Sequence, residues 1–169
     1  MNKSLIFLFL FIFLIGCSKS QETGMVTIDQ NVQEGQIVTF KSNSDAICFS
    51  DSKPAVRLFS TTWCPHCKWV KGTYNKVVKE YVEAGKITAH HWVLDTGDDE
   101  LTEGIQESVI PPSEMGVYKK YNPDGSIPTF VFGCKYVRVG NGYEAQNNLK
   151  AEEAEFRAVI DKLLENEAA

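Results

Sequence analysis

The sequence predicts one α/β domain in which helices flank a central mixed β-sheet. Three observations support this fold class. The predicted elements follow the order β-α-β-α-β-β-α, the first strand–helix–strand unit favours a parallel pair with a right-handed crossover, and a later tight turn favours an antiparallel hairpin at one edge. A length of 169 residues, 43% hydrophobic and 23% charged, is typical of a single globular domain.

The N-terminal segment is interpreted as a targeting signal rather than as part of the folded domain. Lys3 precedes an unbroken apolar run of eleven residues at 5–15, which is shorter than the roughly 20 residues that span a bilayer. A basic start followed by a short apolar run predicts a secretory signal peptide over residues 1–16, and the alternative is a buried core helix.

The end of this run resembles the lipobox of prokaryotic lipoproteins. Leu14-Ile15-Gly16 leads directly into Cys17, and the resemblance implies cleavage before Cys17 and attachment of a diacylglyceryl group to it. Two acyl chains hold a protein stably on a membrane. The mature protein would then have a polar tether over residues 17–36, a domain over residues 37–169, and a location outside the cytoplasm. Ordinary signal cleavage, giving a free protein, is the alternative.

Two strands and a helix are predicted in the first half of the domain. Residues 54–60 are apolar, rich in β-branched and aromatic side chains and bounded by Pro54, which predicts a strand. Pro65 suits the first turn of a helix, and Gly85 ends the pattern. Residues 86–94 predict the second strand. Helical spacing relates the apolar residues between these strands, namely Val70, Tyr74, Val77, Val78, Tyr81 and Val82.

The second half begins with an acidic, irregular stretch at 95–107 and a short helix capped by Ser113 and ending near Tyr121. Residues 129–132 and 136–139 predict two strands joined by the tight turn 133–135. A final helix, capped by Asn147 or Asn148, has one apolar stripe. The members of this stripe are Leu149, Phe156, Val159, Ile160, Leu163 and Leu164.

Charge and histidine placement exclude some classes of function. A net charge of −5 and a pI near 5.2 argue against nucleic acid as a partner. His90 and His91 are neighbours on a predicted strand, so they face opposite sides and do not suit one metal. No second Cys/His pair accompanies the central cysteines, so no metal site is predicted. The acidic stretch is either a solvated loop or a docking surface for a basic partner.

The segment Trp63-Cys64-Pro65-His66-Cys67 has the residues and the spacing of a redox centre. Two cysteines three residues apart at a strand-to-helix junction face each other across one helical turn. Cys64 would start the helix, where free N–H groups favour the reactive thiolate. His66 adds a positive charge or a donor, and Cys67 is placed to attack a mixed disulfide on Cys64.

With these residues the chain resembles the thioredoxin-fold thiol–disulfide oxidoreductases over roughly residues 50–166. The match comprises residues 59–68 with the Pro65-His66 dipeptide typical of DsbA-like oxidants, the segment Ser126-Ile127-Pro128-Thr129-Phe130, and Val139-Gly140 at the end of the hairpin. The resemblance implies a thioredoxin-like fold and a redox-active pair that needs no cofactor.

The same resemblance assigns roles to individual residues. Cys64 is the nucleophile and Cys67 the resolving thiol. Pro128 is cis, lies against the disulfide and presents the backbone of Ile127 as an edge for a substrate peptide, whereas an ordinary proline at the start of a strand is the alternative. Trp63 would contribute an apolar surface for substrate.

One departure from the family pattern concerns the proton of the second cysteine. Family members commonly carry a buried acid six residues before the first cysteine, where this chain has Leu58. Arg57 is adjacent but would face the other side of a regular strand. The usual route for that proton is therefore absent, and water is one substitute. The dipeptide resembles DsbA, while the length of the body is closer to thioredoxin.

The resemblance also implies a pairing for Cys48 and Cys134. In the thioredoxin fold the strands next to these residues are antiparallel neighbours, so both cysteines lie at the pole opposite the active site. A structural disulfide between them suits an oxidising compartment. The alternative is a pair of unbonded small hydrophobic residues.

The leading hypothesis is a lipid-anchored thiol–disulfide oxidoreductase outside the cytoplasm. It would act on cysteine-containing exported proteins and exchange electrons with a membrane redox partner. One alternative is a reductase that serves secreted thiols or cytochrome c maturation. The other is a non-catalytic binding module in which the cysteine pair is structural.

Overall fold

A mixed sheet with one buried parallel pair forms the centre of the structure, a computed structural model that describes residues 35–167. The predicted signal peptide at 1–16, the predicted lipidation site Cys17 and nearly all of the predicted tether lie outside the described residues. The strands are β1 (Lys41–Ser42), β2 (Phe49–Ser50), β3 (Lys53–Ser60), β4 (Thr88–Val93), β5 (Asp98–Asp99), β6 (Thr129–Phe132) and β7 (Tyr136–Val139). The helices are α1 (Pro65–Glu83), α2 (Pro112–Tyr121), a 3₁₀ turn (Glu144–Gln146) and α3 (Leu149–Glu167).

The strand order is β1-β7-β6-β3-β4-β5, and β2 pairs with β3 outside this path. β3 and β4 are parallel and α1 connects them, while the other pairs are antiparallel. The predicted fold class, a mixed sheet flanked by helices, is thereby confirmed. The hairpin of β6 and β7 lies one position in from the edge, because β1 pairs with β7.

Both faces of β3 are covered, which explains its nearly continuous apolar sequence. Val56 and Leu58 point into a core shared with α1 and α3, and Phe59 points into a second core shared with α2. Alternation along the strand separates these two sets. The central strand is therefore held between helical layers, and its carboxyl end is the point from which the chain enters α1.

The hairpin turn depends on two residues with positive φ. Gly133 and Cys134 both have φ near 58°, as the central residues of a type I′ turn require. A Cβ at Gly133 would lie 2.3 Å from Cδ1 of Leu163. Glycine is thus needed here both for the backbone conformation and for the close approach of α3.

Several predicted details differ from the structure. α2 begins at Pro112, whose fixed φ suits the first helical position, so the prediction that Ser113 is the cap was wrong. Asn148 caps α3, because its Oδ1 accepts from the N–H of Ala151 at 3.0 Å. Val82 and Leu149 belong to predicted apolar stripes but are exposed.

Candidate active site

The cysteine pair lies where β3 passes into α1. Cys64 is the N-cap of α1, with extended backbone (φ −70°, ψ 118°), and its Sγ accepts from the N–H of Cys67 at 3.2 Å. Pro65 occupies the first turn, where a missing N–H costs nothing. Both cysteines are free thiols and only 2% exposed. A free helix N–H is thus directed at the Cys64 sulfur, where it would stabilise negative charge.

The Cys67 thiol is held in its protonated form. Burial, aided by the hydrogen bond and the charge of Cys64, raises the pKa of the Cys67 thiol to about 12. Cys67 therefore remains protonated at neutral pH and must lose its proton before it can resolve a mixed disulfide. This order of events suits a nucleophile at Cys64 and a resolving thiol at Cys67.

His66 is exposed and lies against an acidic partner. Its Nδ1 is 2.9 and 2.8 Å from the two carboxylate oxygens of Glu144. Asn141 donates from Nδ2 to the carbonyl of His66 at 2.9 Å and to Glu144 Oε2 at 2.8 Å. The segment between β7 and α3 therefore supplies both residues that hold His66. No local sequence pattern indicates either residue, because both are more than 70 residues from His66.

A second carboxylate, that of Asp95, binds the loop that precedes Cys64. Asp95, which follows β4, accepts from the backbone N–H of Thr62 at 3.0 Å and also from its hydroxyl. The hydrogen bond from Thr62 lowers the pKa of Asp95. The exposed loop before Cys64 is thereby tied to the carboxyl end of β4. Trp63, which lies between Thr62 and Cys64 in the chain, is 67% exposed and therefore accessible to a substrate.

Pro128 and the cysteine pair lie at the same end of the neighbouring strands β3 and β6. Phe59 pairs with Thr129 in antiparallel β3 and β6, so the start of β6 is next to the end of β3. The Ile127–Pro128 bond is cis, and the carbonyl of Pro128 accepts from Gly140 N–H at 2.8 Å. Ile127 is partly exposed and Pro128 is buried.

Tyr118 of α2 and Asn122, the C-cap of that helix, hold the segment before β6, a contribution that sequence reasoning missed. Asn122 donates to the carbonyl of Ser126 and to Thr129 Oγ1, at 2.5 and 2.7 Å. The Tyr118 hydroxyl is 3.4 Å from the same carbonyl. Burial, with a further contribution from Cys67, raises the pKa of the Tyr118 hydroxyl. The spacing of α2 alone indicated neither contact.

The side chains before the cysteine pair offer no carboxylic acid on the α1 face of β3. Leu58 is fully buried in the apolar core on that face. Arg57 faces the other layer, where its Nε and Nη2 contact the carboxylate of Glu114 at 2.6 and 2.9 Å. Ser60, at the end of β3, contacts Nε2 of His91 at 2.8 Å.

Cys48 and Cys134, the pair implied by the family resemblance, form a disulfide in the structure. The N–H of Cys48 donates to the carbonyl of Gly133 at 3.0 Å, and the Cys48 carbonyl accepts from Ala55 at the start of β3. This bond therefore lies at the opposite end of β3 from Cys64. Arg57 Nη1 approaches the Cys48 Sγ at 3.2 Å.

The histidine pair and the acidic groups do not converge on a metal. His90 stacks on Trp92 and contacts Asp99, whereas His91 lies against Tyr74 on the other face. Within residues 35–167, no three His, Cys, Asp or Glu side chains are arranged to hold a metal ion. No helix of this same region is long and apolar enough to cross a membrane.

Comparison with known proteins supports the fold. The thioredoxin family model matches residues 36–106, which include β3, the cysteine pair, α1 and β4. No curated protein and no solved structure matches the chain significantly. The matched segment, together with the mixed sheet and its three flanking helices, shows a thioredoxin-like fold, in which Cys64 and Cys67 have the spacing of a CXXC pair.

Proposed function

We propose that this protein is a membrane-anchored thiol–disulfide oxidoreductase that acts outside the cytoplasm on cysteine-containing exported proteins. The observation that carries the proposal is the buried dithiol at the start of α1, in which Cys64 accepts a helix N–H and Cys67 is held protonated. The thioredoxin domain suggests this class of activity.

In the proposed reaction, two sulfur–sulfur bonds form in turn. The Cys64 thiolate attacks a substrate disulfide, forms a mixed disulfide, and one substrate sulfur leaves with the electron pair and takes up a proton. Cys67 then loses its proton and attacks Cys64 Sγ, which releases the second substrate sulfur as a thiolate that takes up a second proton. The substrate gains two electrons and two protons, and Cys64 and Cys67 become a disulfide. Oxidation of a substrate dithiol is the same sequence in reverse.

The remaining site residues have supporting roles in this proposal. Trp63 and the backbone of Ile127 next to cis-Pro128 would contact the substrate peptide, because all three lie at the edge of the sheet that carries the cysteines. Lipid on Cys17 would keep the domain at the membrane, near a redox partner that restores the cysteine pair. No cofactor other than the cysteine pair is needed.

Replacement of each cysteine in turn tests the reaction. The Cys67→Ser variant retains the nucleophile but not the resolving thiol, so it should accumulate mixed disulfides with substrate proteins, visible on non-reducing gels. The Cys64→Ser variant is the matched control and should trap at least about tenfold less, because the remaining Cys67 thiol is protonated at neutral pH. Equal trapping by both variants would contradict the assigned order.

Two further measurements address activity and anchoring. Wild-type protein should accelerate insulin reduction or the refolding of reduced ribonuclease; no activity in either assay with an intact dithiol would support a binding module instead. Metabolic labelling with a fatty acid should mark the wild type but not the Cys17→Ala variant. Absence of label on the wild type would contradict the lipid anchor.

A further inference from the structure

Glu144, Asn141 and His66 form a hydrogen-bonded cluster at the first turn of α1, next to the cysteine pair. Both carboxylate oxygens of Glu144 lie within 2.9 Å of His66 Nδ1. The Glu144 side chain is 30% exposed and that of His66 is 61% exposed. Asn141 Nδ2 joins the same carboxylate to the backbone of His66, so the acid is fixed relative to the first turn of α1.

Glu144 changes the charge that the Cys64 thiolate experiences, whichever protonation state His66 adopts. With Glu144 ionised, the pair has a net charge of zero when His66 is protonated and −1 when it is neutral. Without that carboxylate, the same two states give +1 and zero. At a fixed protonation state of His66, removing the anion therefore makes the surroundings of Cys64 more positive. Asp95 on Thr62 adds another negative charge nearby, and Lys68 is the adjacent exposed cation.

We infer that Glu144 is a positioning residue for His66 that lowers the reduction potential of the Cys64–Cys67 couple. Reduction of this disulfide adds two electrons and up to two protons to the sulfurs, and a thiolate formed at Cys64 would lie at the start of α1, where its Sγ accepts the N–H of Cys67. An anion beside His66 destabilises that thiolate and so favours the disulfide. The couple would thus be more reducing than Pro65 and His66 alone imply. This inference rests on the proposed function, because it concerns the same cysteine pair.

Replacing Glu144 by Gln tests the inference while keeping an oxygen able to accept from Nδ1. Equilibration with glutathione redox buffers at pH 7 gives the ratio of dithiol to disulfide. In the Glu144→Gln protein this ratio should rise about two- to fivefold, the effect of a single partly exposed charge. For a two-electron couple this corresponds to about 10 to 20 mV. Thiolate absorbance near 240 nm should extend to lower pH in the same variant.

The controls separate the charge of Glu144 from its structural contacts. Glu103→Gln makes the same change in an exposed ion pair with Lys79, about 20 Å along α1 from His66, and should leave the ratio unchanged. Glu144→Asp keeps the charge and should stay close to wild type. The shift in Glu144→Gln should shrink in 1 M salt, where the Debye length is about 3 Å.

Each result bears on the inference in one direction. An unchanged ratio in Glu144→Gln, an equal shift in Glu103→Gln, or a shift that is the same at low and high salt would overturn it. Failure of the proposed function has a different signature, because wild-type protein would then exchange electrons normally with glutathione but would neither reduce insulin nor refold ribonuclease.

Discussion

At the residue scale, His91 shows how a polar side chain is accommodated beside the active-site strand. It is 1% exposed, and burial lowers its pKa to about 4. The ring is therefore neutral at pH 7. Asn75 Oδ1 can only accept, so Nδ1 carries the proton and donates to it at 2.8 Å, while Nε2 accepts from the Ser60 hydroxyl at 2.8 Å. Both ring nitrogens are satisfied without a charge.

This arrangement predicts a loss of stability in mild acid. An unfolded histidine has a pKa near 6.5, so the unfolded chain binds one more proton than the folded protein between about pH 6.5 and pH 4. The contribution of His91 is fully present above pH 6.5 and is lost as pH falls towards 4. It amounts to about 3 kcal/mol.

Denaturant unfolding measured at several pH values tests the effect of His91. The free energy of unfolding should fall through this window in the wild type. It should fall less steeply in the His91→Gln variant, whose side chain does not titrate. Parallel pH profiles for the two proteins would show that His91 is not the source of the dependence.

Single residues differ in how far sequence alone could predict their roles. The spacing of Cys64 and Cys67, with Pro65 between them, was sufficient to predict a cysteine pair at a helix start, because the relevant geometry is local. Glu144 was not predictable in this way. It reaches His66 from 78 residues away, and only the folded sheet places the two side chains together.

At the element scale, α2 is fixed to the sheet by a buried ion pair. Burial raises the pKa of the Glu114 carboxyl, but hydrogen bonds and charge from Arg57 outweigh it and hold the pKa below its usual value. Trp92 also donates to this carboxylate, at 3.1 Å. The side chains of Arg57 and Glu114 are only 5% and 12% exposed. A buried pair of this kind is costly to break from one side.

Variants of Arg57 test how much the buried Arg57–Glu114 ion pair contributes to stability. Arg57→Met should lower the free energy of unfolding by about 3–5 kcal/mol, because Glu114 is left buried without a cation. The double variant Arg57→Met/Glu114→Gln should recover much of that loss, since Gln still accepts from Trp92 and carries no charge. Chemical denaturation of the three proteins gives the comparison. A double variant no more stable than the single one would contradict the account.

Elements with their own periodicity were predicted better than elements set by tertiary contacts. α1 and the strands β6 and β7 were placed within a residue or two, because apolar spacing and the turn at 133–135 define them locally. β5 was not predicted. Its two aspartates pair with β4, and the Asp99 carboxylate accepts from the N–H of His91 at 2.8 Å. A tertiary hydrogen bond thus makes a strand of an otherwise loop-like acidic segment.

At the scale of the whole molecule, buried charges join the start of the described chain to its end. Glu155 of α3 accepts from the N–H groups of Val38 and Thr39, both at 2.5 Å. Arg138 of β7 contacts Glu155 and Glu152, and its guanidinium also lies over the ring of Phe40 at 4.5 Å. The segment before β1 is thereby held to β7 and α3, and the domain boundary at residue 37 stays a prediction from the sequence.

The Cys48–Cys134 disulfide joins distant parts of the chain and predicts a loss of global stability when it is removed. It closes a loop of 86 residues at the pole opposite the active site. Replacing Cys48 by Ser and Cys134 by Asn, which tolerates the positive φ at that position, should lower the free energy of unfolding by about 2–4 kcal/mol. Chemical denaturation measures this loss.

The redox equilibrium of Cys64 and Cys67 is the control for the Cys48→Ser/Cys134→Asn variant. Because the two cysteine pairs lie at opposite ends of β3, the ratio of dithiol to disulfide at Cys64 and Cys67 in glutathione buffers should match the wild type. Unchanged stability would mean that the bond does not constrain the unfolded chain. A large change in the Cys64–Cys67 ratio would mean that the two ends of β3 are coupled, since Arg57, 3.2 Å from Cys48 Sγ, is next to Leu58 on the same strand.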